Sequence, residues 1–174
     1  RKVGYQWTQK ANFGGTARRF AVGVRLGNYG YIGTGKAALY AYKDFWEYNP
    51  STNTWTQKAD LSGGVRCEAV GFSIEDKGYI GTGEYYEGAS YHILRDFWEY
   101  NPSTNTWTQK ADLSGGARWG AVGFSIGSKG YIGTGSGSGT HYHDFWEYSF
   151  VINPPSVQTL DATNITDSSA VLNG

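Results

Sequence analysis

The side chains with chemistry to offer are three histidines, one cysteine and a few carboxylates. His141 and His143 flank Tyr142, and alternate residues of an extended segment face one way, so a two-histidine metal clamp is conceivable there, with His92 in an earlier loop. Histidines in such loops are more often plain surface residues, and no metal or other cofactor is expected. Cys67 stands alone, which rules out an intrachain disulfide and a thiolate-held zinc or iron–sulfur cluster. Gly30-Tyr-Ile-Gly-Thr-Gly35-Lys36 nearly spells a phosphate-binding loop, but the same six residues recur before Glu84 and Ser136, and no helix follows to present backbone amides. Glu68, Glu84 and Glu87 could supply carboxylates, yet no paired-acid or Ser/His/Asp spacing is legible, and the acids are too sparse for a calcium loop. Catalytic residues are therefore not expected.

The elements that would position these groups follow from composition and repetition. The 174 residues balance 15 Lys+Arg against 15 Asp+Glu, so there is no basic footprint for nucleic acid or an anionic membrane. No apolar run reaches the roughly 18 residues a membrane-spanning helix needs. Gly accounts for 26 residues and aromatics for 17%, a mixture that helices disfavour and that turn-rich strands favour. An all-β class is expected.

Three copies of one unit account for most of the chain. Trp-Thr-Gln-Lys-Ala occurs at 7–11, 55–59 and 107–111, Gly-Tyr-Ile-Gly-Thr-Gly at 30–35, 78–83 and 130–135, and Asp-Phe-Trp-Glu-Tyr at 44–48, 96–100 and 144–148. Each unit reads as four short strands: a, opened by Arg18, Arg66 or Arg118; b, ending Gly-Thr-Gly; c, Asp-Phe-Trp-Glu-Tyr; and d, centred on Trp-Thr-Gln-Lys. The c–d turn is Asn-Pro-Ser-Thr-Asn at both 49–53 and 101–105. A repeated four-stranded antiparallel unit of about 50 residues is the sequence form of a propeller blade.

On these motifs the chain resembles kelch repeats, over residues 1 to about 150. The family usually shows a Gly-Gly pair after strand b where this chain has Gly-Thr-Gly, a form similar to a bacterial subgroup. The resemblance implies a kelch-type β-propeller with three four-stranded antiparallel blades at about 11–59, 60–111 and 112–148. The N-terminal strand at 5–10 would serve as the strand d that closes the last blade. Propellers usually have 4–8 blades. Three would leave aromatic flanks uncovered, so either further upstream blades or association of two or more chains is expected. Residues 153–174 follow a double proline and resemble the first strands of a fibronectin type III domain, with Val157, Leu160, Ile165 and Val171 alternating. Alone, that segment is expected to be a mobile tail. A propeller followed by such a module resembles secreted or cell-surface bacterial proteins.

Fixed and variable positions separate the scaffold from a candidate surface. Trp to Arg is 11 residues and Trp to the last Gly is 28 in every unit, so all length changes fall in the b–c loops 36–43, 84–95 and 136–143. Those loops hold Tyr40, Tyr42, Tyr85, Tyr86, Tyr91 and Tyr142, flat rings with a hydroxyl tip that suit sugars and proteins alike. A second variable spot follows the strand-a Arg, where Arg19, Glu68 and Trp119 are expected to line a channel mouth. The repeated Glu47, Glu99 and Glu147 are expected to pair with Arg18, Arg66 and Arg118. The functional expectation is a non-catalytic module that recognises a glycan or protein through one face. The alternative is a carbohydrate-active enzyme of the copper sugar-oxidase or sialic-acid epimerase type that the resemblance allows, with Glu68 at the channel mouth.

Overall fold

A computed structural model describes residues 4–150 and the strand residues 163–166 and 169–171. All regular structure among them is β. The first repeat builds β1 (Val22–Leu26), β2 (Tyr29–Gly33), β5 (Phe45–Asn49) and β6 (Thr54–Lys58), paired in the antiparallel order β1-β2-β5-β6. Between β2 and β5 lies the short hairpin β3 (Lys36–Ala37) and β4 (Tyr40–Ala41). The second repeat gives β7 (Val70–Ile74), β8 (Lys77–Gly81), β11 (Phe97–Asn101) and β12 (Thr106–Lys110) in the same order, with the hairpin β9 (Glu84–Glu87) and β10 (Ser90–Ile93) inserted. The third repeat contributes β13 (Val122–Ile126), β14 (Lys129–Gly133) and β17 (Phe145–Tyr148), with the hairpin β15 (Ser136–Gly137) and β16 (Thr140–His141). The three main sheets are called I, II and III.

Two expectations are corrected here. The b–c connections are hairpins rather than plain loops, because each crosses back on itself at a tight turn and pairs strand to strand. Among the described residues the third sheet has three strands, and 5–10 forms no strand and does not close it. Tyr5 and Trp7 are fully exposed. The reason lies one residue further on: the Ala11 amide donates to Asn53 Oδ1, and Trp55 Nε1 donates to the Ala11 carbonyl, which ties this segment to the edge of sheet I. Ala59 makes the same two bonds with Asn105 and Trp107 where sheet I meets sheet II. Residues 5–10 are thus held where a strand d lying before sheet I would be, away from sheet III.

Sheets stack face to face through two apolar clusters. Val22, Val24, Leu26, Tyr31 and Phe45 of sheet I pack on Leu61, Ile80 and Tyr100. Val70, Phe72, Ile74, Tyr79 and Phe97 of sheet II pack on Ile132, Leu113 and Tyr148. Alternation along β1 and β7 puts every second residue into these clusters, as period-2 side-chain geometry requires. Innermost strands β1, β7 and β13 lie side by side, and residues 21–23, 69–71 and 121–123 line a common hollow between them.

The last described strands, β18 (Thr163–Thr166) and β19 (Ser169–Val171), pair antiparallel with a register irregularity. Val157 and Leu160 of the proposed fibronectin-like pattern lie outside the described residues.

Candidate functional site

One end of the three sheets carries all three hairpins, and the segments leading into the innermost strands join them there. Arg19 bridges to Lys36, Cys67 to Glu84 and Trp119 to Ser136. Within these segments Phe20, Glu68 and Gly120 take left-handed backbone conformations, with φ of 57°, 54° and 63°. Their backbone groups link the sheets in series: the Glu68 amide donates to the Phe20 carbonyl at 3.1 Å, and the Gly120 amide to the Glu68 carbonyl at 3.0 Å. A side chain at this position therefore stands at the mouth of the hollow.

Behind that rim lies a threefold anchor. Arg18, Arg66 and Arg118 each grip the aspartate that opens strand c with both guanidinium nitrogens, pairing with Asp44, Asp96 and Asp144. Arg66 Nη1 also donates to the Thr82 carbonyl at 3.2 Å and Nη2 to the Gly63 carbonyl at 2.6 Å. Trp46, Trp98 and Trp146 donate their indole N–H to the same aspartates. This replaces the expected pairing with Glu47, Glu99 and Glu147. In register those glutamates lie opposite Tyr31, Tyr79 and Tyr131, whose hydroxyls they accept, and they pair with Lys58, Lys110 and Lys129. The Arg118 hydrogen bonds hold the Asp144 carboxyl down at about 2, and at Asp44 the bonds from Arg18 and Trp46 outweigh burial and lower it as well.

The anchor also removes two tyrosines from the candidate surface. Tyr42 and Tyr142 lie against the guanidinium groups of Arg18 and Arg118, at 4.3 and 4.0 Å, and Leu94 is the residue at the equivalent position of the second repeat. Both rings are half-buried. Tyr40 is exposed on the first hairpin. Tyr85 stacks on His92 with centroids 4.6 Å apart, and Tyr86 sits across from Tyr91 at 4.9 Å, both of that pair being exposed. Tyr85, Tyr86 and Glu87 border a shallow cavity with Gly63, Gly64 and Leu94.

A single-copy cluster crosses the rim between sheets I and II. Buried Glu84 accepts from Lys36 Nζ at 3.1 Å and from the Tyr91 hydroxyl, and Lys36 Nζ lies 4.0 Å from Glu68. Lys36 and Arg19 both sit over the Phe20 ring, at 5.3 and 5.2 Å. Burial and the neighbouring charge of Glu84 raise the Glu68 carboxyl, only partly countered by Lys36. Burial opposes the Lys36 charge, but its bond to Glu84 and the two carboxylates keep its pKa above the ordinary lysine range. Burial and the bond to Glu84 likewise hold Tyr91 in its neutral form. Cys67 lies beneath, its Sγ near the Glu84 carbonyl and carboxylate, and burial pushes its thiol up to about 11.

Of the residues expected to act, the structure brings Arg19, Glu68 and Tyr91 into this cluster and sets Tyr86 beside it. Trp119 stands on the neighbouring segment. The sequence marks Lys36 only as part of a variable loop, because nothing in it links this lysine to Glu84, 48 residues away. His141 Nδ1 lies 2.8 Å from Ser136 Oγ, and His143 is exposed. Among the described residues no three His, Cys, Asp or Glu lie close enough to hold a metal ion. The copper centre allowed by the resemblance also does not fit, since the polar groups against the Cys67 thiol belong to Glu84 and Lys36 rather than to a tyrosine it could be crosslinked with.

No family model matches the chain, and no curated protein is similar to it. Among solved structures, that of YjhT is similar, with a TM-score of 0.58 and 23% identity over 69% of this chain and 35% of that one. The likeness concerns the fold alone, and this chain spans about a third of that structure's length.

Proposed function

We propose that sheets I–III are blades of a kelch-type propeller and that their hairpin end is a non-catalytic binding surface for a glycan. One observation carries the reading. Within a frame repeated three times, all length changes fall in the hairpins, and the longest hairpin brings Glu84 and Tyr91 to the mouth of the hollow, where Glu84 accepts from both Tyr91 and Lys36 of the first hairpin and Lys36 lies 4.0 Å from Glu68 on the rim. The exposed Tyr86–Tyr91 pair supplies apolar ring surface beside carboxylates, the combination that stacks on a sugar ring and accepts its hydroxyls. The repeat motifs support the kelch assignment. The resemblance of 153–174 to a fibronectin-like start supports a secreted or cell-surface location.

The test replaces hairpin residues 84–93 with 136–141, the short hairpin of the third repeat, and probes an array of glycans with both proteins. Loss of at least tenfold in binding is expected, whereas unchanged binding would sink the reading. A protein ligand retained by both would move the surface to protein recognition. A second reading rests on Glu68 and Glu84, two carboxylates that converge on Lys36, with burial and Glu84 raising the Glu68 carboxyl in the direction a sugar-directed general acid needs. If Glu68→Gln abolished turnover of any sugar by the native protein, that enzyme would displace the binding module.

A further inference from the structure

Each sheet has two flanks, and the positions on them carry the same or a similar apolar residue from repeat to repeat. The forward flank of sheet I is Val22, Val24, Leu26, Tyr31 and Phe45, and that of sheet II is Val70, Phe72, Ile74, Tyr79 and Phe97. All are buried against the rear flank of the next sheet, built from Leu61, Ile80 and Tyr100 or from Leu113, Ile132 and Tyr148. The forward flank of sheet III repeats the set as Val122, Phe124, Ile126, Tyr131 and Phe145, and it is open: Val122 is 60%, Ile126 64% and Phe145 59% exposed. The rear flank of sheet I likewise repeats its set as Phe13, Ile32 and Tyr48. These two open flanks are thus the two halves of an interface that sheets I–III already use twice.

Two details show how closely the halves match. At each internal interface a glycine of the innermost strand takes the valine of the preceding sheet: a β-carbon on Gly71 would collide with Val22, and one on Gly123 with Val70. The equivalent Gly23 has open space, with nothing nearer than the Tyr31 carbonyl at 3.9 Å. Its missing valine is Val122. The second detail is the edge of β17, where the described residues supply no fourth strand of the kind its counterparts have. Residues 7–10, Trp-Thr-Gln-Lys, are identical to 55–58 and 107–110, which fill that place in sheets I and II. They are anchored through Ala11 at the rear of sheet I, where the last strand of a preceding sheet belongs.

We infer that the forward flank of sheet III docks on the rear flank of sheet I of a second copy of this chain, whose residues 7–10 become the fourth strand of sheet III. The register follows from the internal sheets, where Phe45 faces Lys58, Glu47 faces Thr56 and Tyr48 faces Trp55. Phe145 then faces Lys10 of the second copy, Glu147 faces Thr8, and Tyr148 faces Trp7. The contact is head to tail, and made reciprocally by two copies it closes a two-fold ring of six sheets with no open edge. Six lies within the usual span of such rings. The interface does not depend on what the hairpin end binds.

The test is the light-scattering mass of the full chain at micromolar concentration, which should be twice that of one molecule. Gly23→Val changes a position that is free in one chain and filled in the ring. It should keep the circular dichroism spectrum of the native sheets while weakening dimerisation at least tenfold. Thr8→Cys with Glu147→Cys should give a disulfide-linked dimer on oxidation, since directly opposed strand residues lie within disulfide reach. A monomeric native chain, a Gly23→Val dimer of undiminished affinity, an intrachain disulfide at monomer mass, or no disulfide at all would each overturn the inference. A monomer would mean that the flank is covered by a sheet this chain does not supply.

Discussion

The Arg66–Asp96 and Lys36–Glu84 pairs stand a few residues apart at the same end of the molecule, yet they belong to different kinds of structure. Arg66 is wholly buried, grips Asp96 through two nitrogens, and gives further bonds to the carbonyls of Thr82 and Gly63. The same arrangement occurs at Arg18 and Arg118. Lys36 keeps part of its side chain in water, makes one hydrogen bond to Glu84, and has Glu84 and Ser136 as its counterparts in the other repeats. Replacing lysine by glutamate or serine at this position left the backbone of the frame unchanged. A chain that repeats itself thus distinguishes the pairs that recur with the frame from a pair that the frame does not require.

The sharpest way to break this comparison is to remove one cation from each pair. Arg66→Met strands the Asp96 carboxylate and two carbonyls in the interior and should cost about 3–5 kcal/mol in urea unfolding. Lys36→Met, at a partly hydrated pair, should cost about 1 kcal/mol or less. Equal losses would mean that the single-copy cluster is scaffold too.

Acid should separate the two sets by sign. Asp44 and Asp144 have lowered folded-state pKa values, so their stabilisation is complete above the ordinary aspartate range and is lost as pH falls from near 4 towards 2. Glu68 has a raised one, so its ionisation works against folding, and Glu68→Gln should raise the melting temperature slightly at pH 7 but not at pH 3. Melting curves across pH 2–7 decide this; Asp144→Asn should flatten part of the acid slope, and an unchanged slope would refute the anchor's role.

The smallest effect concerns Cys67. With its thiol pushed up to about 11 by burial, it should react with a disulfide reagent at pH 8 at least tenfold more slowly in the native protein than in denaturant. Lys36→Met removes a charge that favours the thiolate and should slow the native reaction further. Rapid native labelling would show that the floor of the cluster is open to solvent.

Much of the frame was legible in the sequence because repetition fixes strands and turns together. The strands of the first two sheets, their order and the tight turns all follow from motifs that recur in register. The partner of Arg66 was missed because Asp96 and Glu99 recur equally often, and only strand register shows that Glu99 faces Tyr79 while Asp96 sits beside the guanidinium. Tyr42 and Tyr142 were read as display residues because sequence cannot tell a tyrosine in a loop from one lying on a buried arginine. Glu68 and Arg19 were found because they vary inside an otherwise constant segment. Lys36 and Glu84 vary in the same way, but Glu84 reads only as one of several sparse carboxylates, and no motif marks residues 48 apart as partners.

The left-handed residues Phe20, Glu68 and Gly120 give the rim a property of its own. Their amides and carbonyls join neighbouring sheets whatever the side chain, so an aromatic ring, an acid and no side chain at all occupy equivalent places. A non-glycine residue with such a backbone costs on the order of 1–2 kcal/mol, a cost borne by the frame around it. The rim is in effect a set of interchangeable mounts. Duplicating a repeat adds one mount, and a single codon change refits it, so new specificity can be acquired there without renegotiating the fold.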